Sequence, residues 1–278
     1  MTTPTPIRAA GRAISIVLVV LGAIAGVFAI GGGVVDGVAA HGATDQTWSA
    51  DADGARELRV TSSAADFDVV FADVDEATLV ASSTGGPVQQ WRLERSGDAL
   101  VVETGWRWDG FGAGIFRFGD RGFGDEQVTL TLPEALERSG LALVTDISAG
   151  SFAASADWGR AELQLSAGSA DLGGTADELD VRISAGEARL AVDSPRAVVL
   201  DVSAGRVVGA LTGDQPDSID AQVSAGAIEL AIPDGEYAVT EDVSAGSAEI
   251  DVTDDRRAAS TIAVEVSAGS VTLRGESR

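Results

Sequence analysis

The sequence predicts an all-β fold built from repeats, on three observations. The tripeptide Ser-Ala-Gly occurs seven times, beginning at Ser148, Ser166, Ser184, Ser203, Ser224, Ser244 and Ser267, with spacings of 18, 18, 19, 21, 20 and 23 residues. The flanks of each copy alternate between apolar and polar residues, the period of a half-buried strand. No stretch beyond residue 50 sustains the 3.6-residue period of a helix. Self-similarity at about 20 residues marks a solenoid or a related array, in which each unit buries its apolar face on the next.

Aligning the copies gives columns of matching character. The residue before each Ser is Ile147, Leu165, Ile183, Val202, Val223, Val243 or Val266, and the one before that is Asp146, Gln164, Arg182, Asp201, Gln222, Asp242 or Glu265. Two positions past each Gly stand Phe152, Ala170, Ala188, Val207, Ile228, Ala248 and Val271. Leu179, Val181 and Ile183 share one strand face, while Ala188, Leu190 and Val192 share another. Ile183 and Ala188 are an odd number of residues apart, so alternation does not connect the two sets and the chain must bend between them. Ser-Ala-Gly reads as that corner. The structural corners are then Gly150, Gly168, Gly186, Gly205, Gly226, Gly246 and Gly269, with Gly supplying unusual backbone angles and Ala expected to fit an inward corner. Turn residues punctuate the other end of each unit, at Gly173-Gly174, Ser194-Pro195, Gly213-Asp214, Pro233-Asp234-Gly235 and Asp254-Asp255.

Two folds accommodate this pattern. In a β-solenoid (β-helix) with coils of about 20 residues, equivalent residues stack about 4.8 Å apart. In an antiparallel meander each Ser-Ala-Gly is a hairpin loop. Columns of matching character favour the solenoid, because only there do equivalent positions touch. That register makes neighbours of Glu187 and Arg206. Ser63-Ala64-Ala65 reads as a worn copy of the corner, which starts the array well before Ser148. The final corner, Ser267-Ala268-Gly269, is expected to leave an open edge guarded by Arg274, Glu276 and Arg278, or stacked on another copy.

Ahead of the repeats, residues 13–35 (AISIVLVVLGAIAGVFAIGGGVV) carry no charge, and a helix of that length reaches about 34 Å, enough to cross a membrane. Arg8 and Arg12 precede it and Asp36, Asp45 and Asp51 follow, which places the N-terminus in the cytoplasm and the rest outside. Val38-Ala39-Ala40 allows a cleaved signal peptide instead, but the apolar run is longer than such peptides carry, so a retained single-pass anchor is favoured. The expected organisation is a cytoplasmic tail (1–12), a transmembrane helix (13–35), a linker (36–50) and an extracellular β-domain (51–278) in the cell membrane. Within that domain, strands are expected at Glu57–Thr61, Phe67–Phe71, Glu76–Ala81, Gln90–Glu94, Leu100–Glu103 and Val128–Leu132.

Composition excludes most chemistry. The 278 residues carry 43 acids against 19 bases, a net charge of −24, with neither Lys nor Cys. Such a field repels nucleic acid. His41 is the only histidine and falls in the linker, so Ser-His-Asp and His-metal sites lack their parts, and a phosphate-loop lysine or Schiff base has no residue to form it. Neither a cofactor nor a resident metal is expected. Asp251, Asp254 and Asp255, or Asp214, Asp217 and Asp220, offer oxygens suited to calcium but match no known loop and read better as turns. Carboxylates alone run glycosidase chemistry, yet no pair stands out here. The distinctive non-repeat feature is residues 104–126, where Trp106, Trp108, Phe111, Phe116, Phe118 and Phe123 lie among glycines. Such a loop stacks on sugars, docks a partner or dips into a membrane surface; alternatively it folds back over an edge strand.

The run VTLTLPEALERSGLALVTDISAGSF followed by strand–SAG–strand repeats resembles the bacterial "putative adhesin" β-strand-repeat family of unknown function. The resemblance spans Asp51 to the C-terminus and is most specific at Val128–Leu132 with Pro133 and at the corners. It implies a β-solenoid ectodomain on a cell surface and transfers no site residues. The composition, without Lys and rich in Ala, Gly, Asp and Arg, resembles that of high-GC actinobacterial proteins. The expected function is non-enzymatic: surface adhesion or scaffolding by contact with an envelope polymer or protein, or self-association through the solenoid ends. Two alternatives remain at this point, an envelope-stress or regulatory component acting through a membrane partner, and a carbohydrate-active enzyme on a solenoid.

Overall fold

Parallel pairing between successive repeats organises the molecule. The computed structural model describes residues 45–84, 88–104 and 126–276. The tail (1–12), the expected membrane helix (13–35) and nearly all of the aromatic loop lie outside the described residues. Among the described residues no helix is long and apolar enough to cross a membrane.

The first half contains β1 (Gln46–Asp51), β2 (Glu57–Ser62), β3 (Ala65–Ala72), β4 (Glu76–Ser83), β5 (Trp91–Ser96), β6 (Ala99–Thr104) and β7 (Glu126–Pro133). A single-turn helix, α1 (Glu134–Glu137), follows Pro133, whose φ of −54° suits a helix start. The repeats supply β8 (Leu141–Ile147), β9 (Gly150–Leu165), β10 (Ser169–Asp193), β11 (Ala197–Thr212) and β12 (Ser218–Pro233). The chain then forms β13 (Glu236–Val243), β14 (Gly246–Asp251), β15 (Thr253–Asp254) and β16 (Ser260–Glu276). Among the described residues, all sixteen strands join one mixed sheet. Residues 46–50, expected as linker, belong to β1, which pairs antiparallel with β4.

From β8 onward all the pairing is parallel, so the antiparallel-meander reading does not describe these repeats. The polar column stands in register as aligned: Asp146 pairs with Gln164, Gln164 with Arg182, Arg182 with Asp201, Asp201 with Gln222, Gln222 with Glu265 and Glu265 with Asp242. The adjoining aliphatic column is buried at Ile147, Leu165, Ile183, Val202, Val223 and Val266, while Val243 is 39% exposed. Val243 differs because the last two repeats are exchanged in space. β16 pairs with β12 on one side and with β13 and β14 on the other, so the Ser267 repeat is interior and the Ser244 repeat is outermost. The expected open edge at Ser267 is therefore corrected: Arg274 lies in register between Ala231 and Asp251.

At the corners the glycines form a ladder. A Cβ built on Gly150 would fall within 3.0 Å of the Ala65 carbonyl oxygen, and one on Gly168, Gly186, Gly205 or Gly226 would meet the preceding corner's carbonyl in the same way. Gly269 meets Gly226, and Gly246 meets Gly269, which repeats the exchanged order. Gly168 (φ 110°) and Gly186 (φ 124°) also adopt backbone angles that disfavour any side chain. The neighbouring alanines do not fill an inward corner as expected. Ala167, Ala185, Ala204, Ala225 and Ala268 are exposed, and the tight approach falls on the glycine alone.

Candidate interaction site

The described base of the aromatic loop holds a buried acidic side chain, Glu126. β6 ends at Thr104 and β7 opens at Glu126. Alternation puts Glu126 in phase with Val128, Leu130 and Leu132, so its carboxylate points with the core-facing residues and is only 5% exposed. Buried charge requires partners, and two neighbouring residues provide them. The Trp91 indole Nε1 donates to its Oε1 at 2.6 Å, and the Gln89 backbone N–H lies 3.2 and 3.3 Å from its two oxygens.

The same residues tie the loop base to the first corner. Gln89 Nε2 donates to the Ala64 carbonyl at 2.7 Å, and the hydroxyls of Ser63 and Thr104 share a 2.8 Å hydrogen bond. Beneath them Phe67 is tilted against Trp91 at 5.7 Å and stacked on Phe152 at 6.0 Å. Both ends of the loop are thereby fixed to rigid strands. Gln46, Trp48, Gln90, Trp91 and Arg92 line a shallow cavity of about 260 Å³ beside this base. The sequence reading missed Glu126, Trp91 and Gln89. The available signal was an acid in the apolar phase of the strand EQVTLTLP.

Trp106, Trp108, Phe111, Phe116, Phe118 and Phe123 lie outside the described residues. Of the calcium candidates, Asp255 accepts from Arg257 N at 2.9 Å, Asp254 is 3.3 Å from Val239 N, and Asp217 pairs with Arg196 at 3.2 Å. Among the described residues no group of three or more His, Asp or Glu side chains is placed to hold a metal ion.

The exposed sheet surface carries ion pairs both along single strands and between neighbouring repeats. Arg160 reaches Glu178 at 3.2 Å and Glu162 at 3.3 Å, and Arg182 reaches Glu162 at 3.3 Å and Asp180 at 2.7 Å. Glu187 and Arg206 are in register, yet Arg206 pairs with Glu229 at 3.6 Å and Glu187 with Arg189. Exposed pairs of this kind contribute under about 1 kcal/mol each, so they support the register without fixing it. Asp68, beside Asp66 on β3, has its carboxyl pushed above the usual value by burial and then by the Asp66 charge. Asp66 itself accepts from Ser151 Oγ at 2.8 Å.

No family model and no curated protein matches this sequence. Solved structures similar to it include a "putative cell adhesion protein" from Clostridium sporogenes, at 11% identity and a TM-score of 0.34, covering 84% of this chain and 100% of that one. A "putative adhesin" from Bacteroides fragilis follows at 10% identity and a TM-score of 0.36, covering 84% of this chain and 98% of that one. A "putative lipid binding protein" from Parabacteroides distasonis has 15% identity and a TM-score of 0.28, covering 82% of this chain and 96% of that one.

Proposed function

We propose that this chain is a non-enzymatic, single-pass membrane protein that displays an acidic β-solenoid outside the cell for surface adhesion or scaffolding. The observation that carries the reading is the in-register parallel pairing of the repeat columns from Asp146 to Asp242. Stacked coils give a rigid support whose outward face is polar and whose loops project from fixed positions. The uncharged run 13–35, with Arg8 and Arg12 before it, supports the anchor and the outward placement of the acidic domain. The six-aromatic segment, held at its base by Glu126, Trp91 and Thr104, is the proposed contact element. Its partner is an envelope polymer or surface protein offering apolar or sugar faces to the rings.

The test uses the full-length chain in detergent micelles. It is incubated with purified cell-envelope glycans and followed by co-sedimentation, and sedimentation velocity across concentration reports self-assembly. Retention on one glycan, lost when Trp106 and Trp108 are changed to Ala, is the expected result for adhesion. Concentration-dependent assembly is the expected result for scaffolding. A monomer that binds nothing, or one that cleaves the glycan, overturns the reading.

A further inference from the structure

The exchanged order of the last two repeats needs a cause, because the connections work against it. Only Asp234 and Gly235 separate β12 from β13, yet β13 lies two strands away with β16 between them. Two strand spacings are about 9.6 Å, close to the roughly 10–11 Å that three chain steps reach. The chain must then return through residues 255–259 to place β16 in the intervening layer. A sequential order, with the Ser244 repeat directly on the Ser224 repeat, asks less of both links.

The side chains reverse that preference at one position. Reading along the core from Leu163, the register runs through Val181, Leu200, Ala221 and Val264 and ends at Glu241. Every residue of this column before Glu241 is buried. Glu241 stands in phase with Val239 and Val243, where the other repeats carry an apolar side chain, and it is exposed because nothing follows it along this column. In the sequential order its carboxylate would lie between Ala221 and Val264, among aliphatic neighbours and without a counter-charge. A buried, unpaired charge is among the least tolerated features of a core. The Ser267 repeat meets the interior requirement throughout, with Ile262, Val264, Val266, Val271 and Leu273 all buried.

We propose that Glu241 selects the exchanged order and makes the Ser244 repeat the cap of the array. The connections permit either repeat to dock on the Ser224 repeat, and the charge sends its own repeat outward. An inward-facing charge on an edge strand also refuses the apolar edge of another chain. The cap thereby closes this end against addition of a second copy.

The chain has no cysteine, so introduced pairs report neighbours without ambiguity. Asp220 faces Ala263 in the exchanged order; in the sequential order it would face Thr240. In the full-length protein, D220C/A263C is expected to form a disulfide and D220C/T240C is not. Moving the charge with E241V/V264E is expected to reverse this, raising the ratio of the second cross-link to the first by at least about tenfold. Retention of the parental cross-link in folded E241V/V264E overturns the proposal. Should that variant fail to fold, E241V alone decides: the D220C/T240C cross-link is expected to appear, with or without the other, and the D220C/A263C cross-link alone would overturn the assignment.

Discussion

Glu126 and Glu241 occupy the same kind of position near opposite ends of the strand order, and the structure treats them differently. Both are acids in the apolar phase of a strand. Glu126 stays inside, held by the Trp91 indole and the Gln89 backbone. Glu241 has no such donors among the described residues and lies exposed on the outermost full-length strand of its end. An acid in a core phase is therefore resolved either by bringing donors to it or by moving its whole strand to an edge. The first solution ties down a loop base, and the second terminates an array.

Both ends depend on the glycine ladder between them, so breaking the ladder has the largest expected effect. Gly168→Ala puts a methyl against the Gly150 carbonyl at a φ of 110°, and a loss of about 3–5 kcal/mol is expected in urea unfolding. Gly54→Ala is the control. Gly54 has a φ of 65° with nothing within 4 Å of its Cβ position, and about 1 kcal/mol is expected.

Glu126→Ala comes next. It leaves the Trp91 indole and the Gln89 N–H without an acceptor in a buried place, for an expected loss of about 2–4 kcal/mol. Glu126→Gln retains a carbonyl acceptor and should lose about 1 kcal/mol. A Trp91 fluorescence shift in Glu126→Ala, absent from Glu126→Gln, would separate loss of the hydrogen bond from loss of charge.

At the other end, Tyr237 is fully buried and donates to the Pro233 carbonyl at 2.8 Å, beside the short link that steps over β16. Tyr237→Phe should cost about 1–2 kcal/mol. Burial, then Asp234, pushes the phenol up to about 12. An unfolded tyrosine ionises near pH 10, so this contribution is complete below about pH 10 and is lost as pH rises through the folded value. Alkaline unfolding of the parent should therefore steepen above about pH 10, and less so in Tyr237→Phe.

The smallest effect is expected at Asp68, whose folded value is raised. The stability linked to its protonated form is complete below the unfolded value of about 3.9 and lost as pH rises through the folded one. Asp68→Asn should stabilise the protein at pH 7 by well under about 1 kcal/mol after solvent screening, with the gain vanishing in acid. Thermal melts at both pH values check the sign.

Much of the fold was legible because repetition writes the same local rule several times. The columns at Ile147, Ile183 and Val223, and the bend between Ile183 and Ala188, follow from side-chain phase alone. The order of the repeats in the sheet was not legible from spacing, since 20 and 23 residues suit neighbours equally well. It follows from the pairing of β16 with β12 on one side and β13 on the other, which leaves Glu241 at the end of the column that holds Leu200 and Ala221. Glu126 was overlooked for a related reason: its donors, Trp91 and Gln89, lie 35 and 37 residues away, beyond any local pattern. The role given to the alanines beside the corner glycines was not legible, because the carbonyl that crowds each glycine comes from the neighbouring repeat.

The most direct test is the distance between spin labels placed at Asp146 and Asp242, read by pulsed electron paramagnetic resonance on the full-length chain. Six parallel steps separate these residues through Gln164, Arg182, Asp201, Gln222 and Glu265. Stacked repeats predict a single narrow distribution centred at about 29 Å. A distribution near 48 Å, the span of five antiparallel hairpins at about 9.6 Å each, would contradict the account.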